Sequence, residues 1–113
     1  MLIALCNLDD LVEGKARGFD PLQQGKDSVF ALRCNGEVRL YRNSCPHQDV
    51  PLEYRKDRFL SADGSRIICY AHGAQFLPES GVCVYGPCLG ERLRGLPCVA
   101  QEGWLLVDEL ELR

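Results

Sequence analysis

Histidine is scarce in this 113-residue chain: there are two, His47 and His72, and each lies within three residues of a cysteine. With both paired to a cysteine, no spare imidazole remains as a base. Ser28, Ser44, Ser61, Ser65 and Ser80 therefore lack the partner a serine nucleophile needs. Long apolar runs are also missing. Leu2–Leu5 is too short for a signal-peptide core and has no basic leader, and nothing approaches the roughly 20 apolar residues of a membrane span. There is no basic excess: 13 Lys+Arg against 16 Asp+Glu give a net charge of −3, which argues against a nucleic-acid partner and mildly favours a docking partner that presents positive charge. No helical periodicity runs for several turns, and no repeat or low-complexity segment interrupts the chain. Together these absences predict a cytoplasmic globular protein of one domain, residues 1–113, with no nucleic-acid or membrane partner.

What is present reads as short strands. Met1–Cys6 is apolar and β-compatible, and Asn7 is placed to cap a single helical turn. Lys15–Asp20, Ser28–Cys34 and Val38–Arg42 follow, the last two joined by Asn35-Gly36, a strong two-residue hairpin signal. Asp63-Gly64 turns into Arg66–Cys69. Gly81–Tyr85 reads as a strand, and Leu96–Gln101 and Trp104–Leu110 as a closing hairpin about Glu102-Gly103. Many short strands separated by Gly, Asn and Asp predict an all-β sandwich or barrel-like domain.

Seven cysteines are an odd number for a disulfide framework. Cys6, Cys34, Cys83 and Cys98 fall in strand-like runs and read as small buried hydrophobes; Cys88, just after Gly86-Pro87, is placed to lie near a site. Cys45 and Cys69 differ from these. They stand in Cys45-Pro46-His47 and Cys69-Tyr70-Ala71-His72, so two loops each offer one thiolate and one imidazole. Two sulfurs and two nitrogens delivered pairwise suit a binuclear iron–sulfur centre with the cysteines on one iron and the histidines on the other. A structural zinc site also takes two Cys and two His, although it usually pairs like with like at short gaps; here each half is mixed. Chance neighbours in a cysteine-rich chain are the remaining alternative.

The stretch from Asn43 to Pro87 resembles the Rieske family: Cys45-Pro46-His47, then Pro51-Leu52, then Cys69 and His72-Gly73, then Gly81 and Gly86-Pro87. The resemblance implies a Rieske-like antiparallel β-sandwich or barrel with a small cluster-binding subdomain, approximately residues 43–87. It implies one [2Fe-2S] cluster, with Cys45 and Cys69 on the inner iron and His47 and His72 on an outer iron near the protein tip. Gly86-Pro87 matches the family's third loop, which shields the cluster. Asp49 stands where glycine is common, and Asp tolerates a left-handed backbone better than most residues. The spacer between the loops is longer than usual and carries Arg55, Lys56, Asp57, Arg58 and Arg66; it is expected to form an extra hairpin beside the cluster with a solvated charged face.

High-potential relatives brace the loops with a disulfide, but the matching positions are Val50 and Ala71. Such relatives also direct serine and tyrosine hydroxyls at the cluster sulfurs, where this chain has Ala74 and Phe76. Both differences favour a low-potential centre. Low-potential members of this size are ferredoxins that pass one electron at a time from a flavin reductase to a terminal oxygenase. The oxygenase's own mononuclear iron site takes two histidines and a carboxylate, and no third histidine is available to begin one. The expected function is therefore electron transport, as a component of an oxidoreductase system rather than an enzyme in itself. A small subunit of a larger reductase, resembling that of nitrite reductase, and a cluster-based redox sensor are the other readings.

Overall fold

A computed structural model describes residues 1–113. Nine strands form three antiparallel three-stranded sheets. The first sheet has the order β1-β9-β8, from Leu2–Asn7, Trp104–Asp108 and Val99–Gln101. The second has the order β2-β3-β4, from Ala16–Phe19, Val29–Cys34 and Glu37–Arg42, and the third β5-β6-β7, from Ile67–Ile68, Gln75–Phe76 and Cys83–Tyr85. The only helices are single 3-10 turns at Leu8–Asp10 and Glu109–Leu112. The Asn7 side chain caps the first by accepting from the Asp9 N–H, as expected of its type. The all-β expectation holds.

Strand β3 explains how the sheets stack. Alternate side chains of a strand point to opposite faces, and four successive residues here, Val29, Phe30, Ala31 and Leu32, are all buried. Val29 and Ala31 join Leu40, Leu105 and Val107 in one core against the terminal sheet. Phe30 and Leu32 join Tyr41, Phe59, Ile67 and Phe76 in a second core. The middle sheet is thus covered on both faces, with the third sheet and the two Cys/His loops on the far side from the termini. Cys45 and Cys69 belong to that second core.

Asn35-Gly36 closes the β3–β4 hairpin with both residues at positive φ, 52° and 78°, as a primed two-residue turn requires. Glu102-Gly103 does the same between β8 and β9, at 53° and 82°. Two expectations are corrected. The charged spacer does not form a full hairpin: it is irregular apart from a single antiparallel bridge, Leu60 to Ile67, around the Asp63-Gly64 turn. Its charges are not only solvated either. The Asp57 carboxylate accepts the Gly18 N–H at 2.8 Å, and Lys56 donates to the Gly18 carbonyl and to Asp27 at 2.8 and 2.9 Å. These contacts clip the spacer to β2, while Phe59 inserts against Phe30 with ring centroids 4.3 Å apart. Strand β6 has no counterpart in the strands expected from the sequence, and Cys98 lies just before β8 rather than within a strand.

Candidate metal centre

The two Cys/His loops are built on one backbone turn used twice. The Cys45 N–H donates to the Val50 carbonyl at 2.8 Å, and the Asp49 N–H donates back to the Cys45 carbonyl at 2.7 Å. In the second loop the Cys69 N–H donates to the Ala74 carbonyl at 2.9 Å, and the Gly73 N–H to the Cys69 carbonyl at 2.8 Å. Each turn needs a left-handed residue four places after its cysteine, supplied by Asp49 at φ 53° and Gly73 at φ 80°. Asp49 thus does the work of a glycine, and its carboxylate is engaged by the Ser44 hydroxyl. The same pattern recurs without cysteine or histidine at Leu77–Val82: the Leu77 N–H donates to the Val82 carbonyl, the Gly81 N–H to the Leu77 carbonyl, and Gly81 has φ 77°.

The turns bring the expected donors together as two pairs, Cys45 with Cys69 and His47 with His72. Cys45 and Cys69 are buried and their thiols interact. Burial pushes the Cys45 thiol up; the backbone N–H groups of His47 and Gln48, which point at its sulfur, oppose that shift, and the neighbouring Cys69 adds to it. Hydrogen bonds of this kind stabilise a thiolate. The imidazoles of His47 and His72 face each other edge to face, with ring centroids 5.1 Å apart. His47 is half-buried and His72 exposed, so the sulfurs lie inward and the imidazole rings reach toward the surface.

One atom in this arrangement has no partner within the protein. His47 Nδ1 is buried and makes no hydrogen bond, a state that costs free energy unless something else engages it. The donor set fits a pair of metal ions: two soft sulfurs on one side and two imidazoles on the other.

Val50 and Ala71 offer no sulfur for a loop-to-loop disulfide, and Ala74 and Phe76 are fully buried without a hydroxyl. The nearby hydroxyl of Tyr70 is committed elsewhere, donating to the Leu60 carbonyl at 2.7 Å. Gly86 presses on the second loop so closely that a Cβ there would lie 2.8 Å from Ala74 Cα. Two features were not foreseen from the sequence. Tyr70 packs edge to face on Tyr54 of the spacer, with centroids 4.6 Å apart, and Cys83 contacts Cys88. The first depends on where an irregular spacer settles, and the second on a turn that folds a loop back onto its own strand; neither leaves a periodic signal.

Comparison with known proteins agrees with this geometry. A family model described as the Rieske [2Fe-2S] domain matches residues 1–101. A curated relative, the ferredoxin component of the alkene monooxygenase system of Xanthobacter autotrophicus, is 35% identical over 79 residues, covering 70% of this chain and 59% of that protein. The match therefore spans somewhat over half of the relative's length. Among solved structures, a ferredoxin of Sphingomonas yanoikuyae B1 aligns with a TM-score of 0.72 at 23% identity, covering 96% of this chain and 98% of that one. The ferredoxin of carbazole 1,9a-dioxygenase from Nocardioides aromaticivorans IC177 aligns with a TM-score of 0.70 at 24% identity, covering 96% and 97%. At those identities the structures establish the fold. The family-model match, together with the identity to the curated relative, establishes that the chain belongs to the Rieske [2Fe-2S] domain family.

Proposed function

We propose that this chain is a one-electron carrier whose [2Fe-2S] cluster is held by Cys45 and Cys69 on one iron and by His47 and His72 on the other. The observation that carries this reading is the pairing of donors by type: two buried sulfurs together, and two imidazoles 5.1 Å apart on the outer side. When bound, the cluster supplies a couple that takes up and gives back a single electron. The protein's residues set the conditions for it. Cys45 and Cys69 present thiolates from within the core, with the N–H groups of His47 and Gln48 offsetting the negative charge at Cys45. His47 commits an otherwise unpartnered ring nitrogen. The exposed His72 carries the electron path to the surface, where a partner can dock in a small, transient contact. Both histidines are used in this way, so none remains for a mononuclear oxygenase site.

The donor is a flavin reductase and the acceptor a terminal oxygenase, in the cytoplasm. The oxygenase as acceptor is supported by relatives described as the ferredoxin component of an alkene monooxygenase system and the ferredoxin of carbazole 1,9a-dioxygenase, and by solved complexes of oxygenase and ferredoxin in the latter. No helix is long and apolar enough to cross a membrane.

Iron and acid-labile sulfide assays on anaerobically purified protein, with electron paramagnetic resonance after reduction, test the reading. The expected result is about two irons and two sulfides per chain with a rhombic signal. Cys45→Ser and His72→Ala should each give colourless protein with a lowered melting temperature, because ligand binding is coupled to folding. A single tetrahedral zinc, or visible spectra unchanged in both variants, overturns it.

A further inference from the structure

Two cysteines outside the proposed ligand set lie together beside it. Cys83 begins β7, and Cys88 follows Gly86-Pro87 in the loop that leaves that strand. Their sulfurs are 3.3 Å apart. Cys83 Sγ also donates to the Tyr85 carbonyl at 3.3 Å, and both side chains are almost fully buried. Backbone bonds hold them in register: the Cys83 N–H donates to Glu91 at 2.7 Å, the Gly90 N–H to Cys83 at 3.0 Å and the Glu91 N–H to Cys88 at 2.9 Å. The other non-ligand cysteines have no such neighbour; Cys34, for example, meets the Glu79 carboxylate.

We propose that Cys83 and Cys88 are a dithiol that oxidises to an intramolecular disulfide and so locks the loop 84–87 that rests on the second Cys/His loop. The geometry requires little motion, since joining sulfurs 3.3 Å apart into a bond of about 2.05 Å needs a shift of roughly an ångström, within reach of side-chain rotation. The oxidant is a low-molecular-weight disulfide, with glutathione disulfide as the probe. One protein sulfur attacks it and releases one glutathione thiol; the second displaces the other. Both protein S–H bonds and the glutathione S–S bond are broken, and the Cys83–Cys88 bond is formed. Two electrons and two protons leave as two molecules of reduced glutathione.

Both thiols are almost fully buried, so the pair is slow to react while the loop is closed. Exchange proceeds through loop opening, which makes the loop the gate as well as the target. Once formed, the bond closes a six-residue ring from Cys83 to Cys88. That ring contains Gly86, whose backbone lies against Ala74, the residue that accepts the Cys69 N–H. The disulfide thus restrains the cover of the second loop. This inference rests on Cys83 and Cys88 and not on the identity of the metal ligands.

The test uses the full-length holoprotein, equilibrated anaerobically in glutathione buffers of graded oxidation, then alkylated and digested without reductant. The expected product is a peptide lighter by two hydrogens, with Cys83 and Cys88 protected from alkylation and linked to each other, while Cys6, Cys34 and Cys98 form no internal bridge. Oxidised protein should keep its visible absorbance several-fold longer than reduced protein against an iron chelator. Cys83→Ala and Cys88→Ala should each abolish the linked peptide and the added resistance; differential alkylation of the unaltered chain reads the same linkage if either variant fails to fold. Cys83 and Cys88 remaining fully alkylatable in the most oxidising buffer, or linking to other cysteines instead, overturns the proposal. Loss of the ligand assignment would show separately, in the metal content and not in this linkage.

Discussion

Asn43 closes the first Cys/His loop through both ends of its amide. Its Nδ2 donates to the Asp27 carbonyl and the Glu53 carboxylate, each at 2.8 Å, and its Oδ1 accepts the Leu52 N–H at 2.9 Å. It is the one polar side chain buried in the fold. Asn43→Ala removes all three bonds and leaves the Leu52 N–H and the Asp27 carbonyl unpaired. The expected cost is about 2–3 kcal/mol of folding stability, read by urea denaturation; a loss below about 0.5 kcal/mol would mean that water replaces the amide. Residues also set the redox level. With no hydroxyl at Ala74 or Phe76 and the Tyr70 hydroxyl turned to Leu60, the potential should lie near the low end of the Rieske range, about −150 mV by voltammetry. Ala74→Ser, by offering a donor beside the proposed ligand Cys69, should raise it. A clearly positive potential in the unaltered protein would contradict this account of the sulfur environment.

At the scale of elements, strand β4 pins the metal-free copy of the turn. Tyr41 donates its hydroxyl to the Pro78 carbonyl at 2.7 Å, and its ring lies where a Cβ on Gly81 would approach within 2.9 Å. Burial pushes the Tyr41 phenol up from 10 to about 12, with smaller contributions from nearby charges. The folded state therefore holds this proton more tightly than the unfolded chain does. The resulting stability is intact below about pH 10 and falls between pH 10 and 12, by at most about 1.4 kcal/mol per pH unit. Burial raises the Cys6 and Cys98 thiols as well, so the informative comparison is with Tyr41→Phe. That variant should be less stable at pH 8 by about 1 kcal/mol and should decline less steeply above pH 10. Parallel curves for the two proteins would assign the alkaline loss to the thiols.

The same scale separates what could be read in the sequence from what could not. Hairpins with their own turn chemistry, Asn35-Gly36 and Glu102-Gly103, were legible because local residues determine them. The Cys45, His47, Cys69 and His72 set stands out because scarcity of histidine makes the pattern specific, and it is still the proposed ligand set. Strand β6 was not legible: Gln75–Phe76 is two residues long and is a strand only because β5 and β7 lie on either side. The spacer was misjudged because Lys56 and Asp57 spend their charges on the backbone of Gly18, a partner 38 and 39 positions away. Cys83 read as filler, because nothing in a strand pattern reveals that a Gly-Pro loop returns Cys88 to it.

Taken as a whole, the molecule has two cores of unequal independence. The core against the terminal sheet rests on β1 and β9, which pair over most of their length. The other core is closed by strands of two, two and three residues, too short to be stable without help from packing. Two of its members are the proposed ligands Cys45 and Cys69. If metal binding supplies the missing stability, as it does in small metal-dependent units, then residues of about 43–87 form a cluster-binding subdomain within one domain. Removing the metal should then loosen that half selectively. Hydrogen exchange on apoprotein should show amides of β5, β6, β7 and both Cys/His loops exchanging at least tenfold faster than in holoprotein. Amides of β1 and β9, and those linking β3 to β4, should keep their protection, since Val29 and Ala31 remain packed on the terminal sheet. Uniform loss of protection across all three sheets would instead mean that the two cores unfold as one cooperative unit.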